Sequence, residues 1–167
     1  TTIGSTATSV DVWSEEKVKT FAESQGLNVT LTTLGPGWRA IARSLQNSSD
    51  VLGYCEGFLR PGGSIVHMDK IEVFRKQVLK LKNESKSFSG TAGSLFGPSL
   101  LLGFIILLYA KEQGYTVAEF LAIDDEARQH KKLVKYYARI GFKVIKYVGD
   151  GVMDVPDRMM WGGRGTL

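Results

Sequence analysis

A single cysteine, Cys55, and two histidines, His67 and His130, are all that 167 residues offer by way of soft metal ligands. One cysteine excludes an intrachain disulfide, and two scattered histidines do not complete the ligand set of a structural zinc site. A fold expected to stand without staples or metal points to a reducing, soluble compartment. Long hydrophobic runs are also missing. The longest, 100–110 with Gly103 inside it, is too short to span a bilayer. No repeat or low-complexity tract interrupts the chain, which excludes solenoids and arrays. The net charge of +4 is too small to argue for nucleic acid, although it suits an anionic ligand. The chain opens on Thr1 rather than methionine, as a processed or trimmed product would.

What is present is ordinary globular material, 43% hydrophobic and 23% charged, in a length that suits one domain. Residues 1–13 read as a loose polar arm and 14–167 as a single domain. Ser14 before Glu15 and Glu16 is a helix start, with Val18, Phe21 and Ala22 on one face and a stop near Gly26. Four strands follow, at 29–34, 38–45, 51–59 and 64–74. Hairpin-length turns at Gly35-Pro36-Gly37, 47–50 and 60–63 separate them, which predicts an antiparallel meander. Residues 75–88 are basic and linker-like, or extend the fourth strand. A helix is expected from Ser99 to Gln113, a strand over 117–123, a helix from Glu126 to Ile140, and strands at 142–148 and 158–161. The class is α+β, with one crossover in the middle.

The stretch Ser89 to Tyr115 organises the chain. Small residues from Ser89 to Ser94 lead through Gly97-Pro98-Ser99 into an apolar helix that stops at Gly114. A glycine-rich loop feeding a helix N-terminus presents backbone N–H groups and a positive dipole end, an arrangement that suits phosphate. A loop before a core helix looks the same in sequence.

Three segments resemble the GNAT (Gcn5-related N-acetyltransferase) superfamily. The run Leu133-Val134-Lys135-Tyr136-Tyr137-Ala138-Arg139-Ile140-Gly141-Phe142 is similar to the family's late helix. Gly97-Pro98-Ser99, followed by a helix ending Ala110 to Tyr115, is similar to the end of its pyrophosphate loop and the helix after it. Gly53-Tyr54 and Lys70-Ile71-Glu72-Val73 resemble its third and fourth strands. The stretch 119–149 also resembles uncharacterised plastid members of plants and algae, which implies the chloroplast stroma.

The resemblance implies a GNAT-like fold, a central mixed and mostly antiparallel sheet flanked by helices. It also implies transfer of an acetyl group from acetyl-CoA to an amine, without a metal. The pantetheine arm would lie between splayed strands and pair with the backbone near Val73. The pyrophosphate would rest on the loop, at Gly93, Ser94, Phe96, Gly97 and Ser99. Glu72 would act as general base, its pKa raised by burial, and Tyr137 would protonate the departing thiolate. His130 stands where the family has an asparagine beside the cofactor. Two departures weaken the loop. Ser94 replaces a cation or amide, and Pro98 lacks an N–H donor. The alternative is a non-catalytic GNAT-fold subunit that serves as a structural or binding part of a larger complex, and a further one is an acyl-CoA sensor.

Each of these residues has a plainer reading. Glu72 fits a solvated strand face, Tyr137 core packing and His130 a capping or packing place, and His67 on the fourth strand suits either the lining of the cleft or, as a lone histidine more often does, a structural position. Arg128, Lys131, Lys132, Lys135 and Arg139 share a helical face that suits solvent, the 3′-phosphate of CoA, or an acidic partner. The row Leu100, Phe104 and Leu108 falls where a helix lying on a sheet is normally polar. It is expected to be covered by another protein surface, a second copy or a larger assembly, or else by the chain's own arm or loop.

Overall fold

The computed structural model describes residues 13–84, 97–124 and 127–167. The first helix, α1 (Glu15–Ser24), is capped by Ser14, whose hydroxyl accepts from the Lys17 N–H. Strands β1 (Leu27–Leu34), β2 (Gly37–Ser44), β3 (Val51–Leu59) and β4 (Ile65–Val73) form the expected antiparallel meander. The β1–β2 hairpin pairs Leu34 with Gly37 across two residues, and Gly35 takes the positive φ of 56° that this tight turn needs. A fifth strand, β5 (Val117–Phe120), adds to β4 in parallel, so the sheet runs β1-β2-β3-β4-β5. The protein is α+β, with a mixed five-stranded sheet flanked by helices.

One face of this sheet is built for a helix. Val29, Ala42, Gly53 and Val73 stand opposite one another across β1 to β4, as do Leu31, Ala40, Cys55 and Ile71 in the next row. The small residues at the centre of both rows let α3 (Gly97–Glu112) approach closely, and its Leu101, Leu102, Ile105 and Ile106 are buried there. Each such side chain contributes about 1.5–3 kcal/mol on burial. Val18 and Ala22 of α1 join the same core.

Four sequence expectations need correction. Residues 75–84 are not linker or strand but a helix, α2 (Arg75–Glu84). Its only buried residues, Val78 and Leu81, sit three apart, a stripe too thin to stand out among the lysines. The strand expected over 117–123 breaks at Leu121, and β6 (Ala122–Ile123) belongs to a second, three-stranded sheet with β7 (Tyr147–Val148) and β8 (Gly165–Thr166), in the order β6-β8-β7. Of the strand expected over 142–148, only β7 (Tyr147–Val148) forms. Residues 158–161 are helical, in α5 (Val155–Trp161). Pro156 fits the first turn, and Gly162 ends the helix at φ 70° with its N–H donating to the Arg158 carbonyl. The late helix, α4 (Ala127–Arg139), falls where it was expected, and β8 (Gly165–Thr166) closes the second sheet. The second sheet has its own small core of Leu121, Val148 and Trp161.

Candidate functional site

The β4–β5 ladder is short, running from Ile65↔Val117 to Met68↔Phe120. Beyond it the strands part. β4 continues along β3 to Val73, while the chain after Phe120 turns into the second sheet. The Phe74 N–H donates to the Leu52 carbonyl on the β3 side. Backbone direction alternates along a strand, so the N–H and C=O of Ile71 and Val73 face the other side. Among the described residues no strand pairs with that stretch of edge.

A cavity of about 770 Å³ opens between the parted strands, with Met68, Ile71 and Val73 of β4 on one side and Phe120 of β5 on the other. α3 contributes Ser99, Leu100, Gly103, Phe104 and Leu107, and α4 contributes Leu133, Tyr136, Tyr137 and Ile140. The charged side chains lining it are Arg75 and Lys132, both exposed; no carboxylate or imidazole among the described residues lines it. Apolar walls with a few polar groups and cations at the rim suit an elongated apolar ligand with an anionic end. A second hollow of about 40 Å³ lies against Tyr137, between β5, α4 and the C-terminal residues, and has room for little more than water.

Tyr137 is half-buried in the wall shared by both hollows. Its ring packs edge-on against Phe120 at 4.5 Å and Phe142 at 5.9 Å. Burial, with smaller contributions from Tyr136 and Cys55, raises its pKa. The hydroxyl therefore keeps its proton at neutral pH and is available as a donor.

Glu72 does not share this wall. It lies on the opposite face of the sheet from α3, where its carboxylate accepts from Lys70 at 3.0 Å and from the Tyr54 hydroxyl at 3.1 Å. These two hydrogen bonds, Lys70 first, lower its pKa. The expectation that burial raises it is corrected, because the side chain is 42% exposed and paired with a cation.

His130 also lies outside the cavity lining. Its Nε2 is 2.9 Å from Thr166 Oγ1 and its Nδ1 is 3.7 Å from Asp124, which ties the first turn of α4 to the second sheet. Val73 and Ser99 do line the cavity, while Gly97 is buried at the start of α3. Gly93, Ser94 and Phe96 lie outside the described residues. Of the expected apolar row, Leu100 and Phe104 line the cavity, whereas Leu108 packs against the core and Leu107 takes the exposed place instead. Trp13 stands edge-on to Phe104 at 5.7 Å, so the chain's own N-terminal side covers part of this row.

Sequence reasoning missed Gly103 and Arg75 as part of the site. The signal for Gly103 was a helix-weakening residue inside an otherwise unbroken apolar helix. His67, by contrast, has the structural place expected of it. It is fully buried, stacked between Phe58 at 4.4 Å and Trp161 at 4.0 Å. Its Nδ1 lies 3.0 Å from Glu119, which also pairs with Arg60 at 2.5 Å. This group clamps the second sheet onto the first.

No helix among the described residues is long and apolar enough to cross a membrane, and no three potential metal ligands come together among them. The chain matches no protein-family model and no curated protein.

Proposed function

We propose that the cavity binds an acyl-CoA and that the protein is a GNAT-like N-acyltransferase, moving an acetyl or larger acyl group to an amine. The observation that carries this reading is the parting of β4 and β5 over a large cavity with a protonated tyrosine in its wall. The backbone edge at Ile71 and Val73, which no described strand pairs, accepts the pantetheine amides as an added strand would. Ser99, Arg75 and Lys132 favour the anionic end. The amine nitrogen attacks the thioester carbonyl, the C–S bond breaks, and the Tyr137 hydroxyl protonates the thiolate. The ammonium proton leaves to solvent, because Glu72 is turned away, and solvent returns a proton to the Tyr137 oxygen.

A titration calorimeter and a thiol-release assay test this together. Saturable acetyl-CoA binding, with CoA released in step with added amine at a rate rising with pH, is the expected result. Absence of binding at millimolar ligand overturns the proposal. Binding without release would favour the second reading, an acyl-CoA sensor or non-catalytic subunit, to which the lack of a carboxylate or imidazole among the described lining residues also points.

A further inference from the structure

Of the described residues lining the cavity, most are aliphatic or aromatic, and they continue from the parted strands along the groove between α3 and α4. With the pantetheine arm along Ile71 and Val73, an acetyl group would leave the side of the groove formed by α3 bare. Three features of α3 face the groove rather than the core. Phe104 and Leu107 are 39% and 37% exposed on the helix side away from Leu102 and Ile106. Beside Leu107 on the helix, Gly103 contributes no side chain, and a Cβ built there meets nothing within 4 Å among the described residues. A glycine in mid-helix is destabilising; at this position it also keeps the groove open. The cations Arg75 and Lys132 stand at the rim, and no acid among the described residues lines the cavity.

We propose that the groove is an acyl-chain channel and that the preferred donor is a medium- or long-chain fatty acyl-CoA rather than acetyl-CoA. This rests on the acyl-CoA reading above and specifies its substrate. The apolar chain runs along Gly103, Phe104 and Leu107 towards Ile140, and the anionic nucleotide end stays near Arg75 and Lys132. Side chains that would be unusually apolar on a solvent-facing helix thereby gain an apolar partner.

The test is a calorimetric series of acetyl-, butyryl-, octanoyl- and decanoyl-CoA below their micelle concentrations, with octanoate as a control. Full burial gives roughly three- to four-fold per methylene. In a groove open on one side, we expect octanoyl-CoA to bind at least about tenfold more tightly than acetyl-CoA. Gly103→Leu, which places a good helix former in the groove, should abolish that advantage, so that octanoyl-CoA binds no more tightly than acetyl-CoA. Leu107→Gln should shrink the advantage without a plug. Equal affinity along the series overturns the channel but leaves the acyl-CoA reading standing; no binding of any acyl-CoA overturns both. Octanoate binding as tightly as octanoyl-CoA refutes the thioester donor. An unliganded dimer in the ultracentrifuge, dissociated by Phe104→Glu and indifferent to chain length, refutes the channel in favour of a self-interface.

Discussion

Removing one oxygen atom tests the assignment of Tyr137. In Tyr137→Phe the ring remains, and with it the packing on Phe120 and Phe142, so the fold should lose less than about 1 kcal/mol. Acyl-CoA affinity should hold as well, because the proton donor acts on charge that appears only when the C–S bond breaks. The size of the rate loss follows from the pKa values involved. A thiol of pKa about 8.5 is a stronger acid than a tyrosine whose burial has raised it above its usual 10. Proton transfer to the thiolate is therefore uphill, and the loss should fall at the low end of general-acid effects, about 10²-fold in kcat, or about 2.7 kcal/mol. The assay is CoA-thiol release at saturating donor and amine, read beside a melting curve and a calorimetric Kd. Glu72→Gln is the paired control. Its carboxylate faces away from the cavity, and the rate should stay within about two-fold. Full activity in Tyr137→Phe would refute the donor role, and a large loss in Glu72→Gln would refute the reading of the sheet's two faces.

Two further predictions concern the frame that holds the site. Burial pushes the Cys55 thiol up to about 12 from 9.0, so the unfolded chain loses that proton first and stability falls as pH rises above 9, with a slope approaching about 1.4 kcal/mol per unit; Cys55→Ala should flatten this part of the urea-midpoint-against-pH curve whatever its effect at neutral pH, and an unaltered slope would count against it. A Cβ on Gly57 would lie 2.0 Å from the His67 carbonyl oxygen and 2.7 Å from the Trp38 ring, neither of which can retreat cheaply, so Gly57→Ala should cost more than about 3 kcal/mol in chemical unfolding, and a near-neutral result would mean that β3 and β4 are not so closely apposed.

The meander and the two long helices were legible in the sequence because their signals are local. Alternating apolar residues, the Gly35-Pro36 turn, the Ser14 cap and Gly114 each act within a few residues of where they stand. α2 was not legible, since two buried residues among lysines make a helix only when β3 is there to cover them. The same holds for α5, whose Met159, Met160 and Trp161 read as strand until Trp161 finds His67 to stack on. Tyr137 and Val73 were named from sequence motifs, and the fold brings them to one cavity. What the motifs lacked was direction. Side chains alternate across a strand, so whether Glu72 or its neighbours face α3 depends on register and on the bulge between Glu56 and Gly57, which are set by pairing between distant segments. The apolar row of α3 posed the same difficulty. Its composition asked for a cover, and only the tertiary structure shows Trp13 against Phe104 and the rest of the row along the cavity between the parted strands and α4.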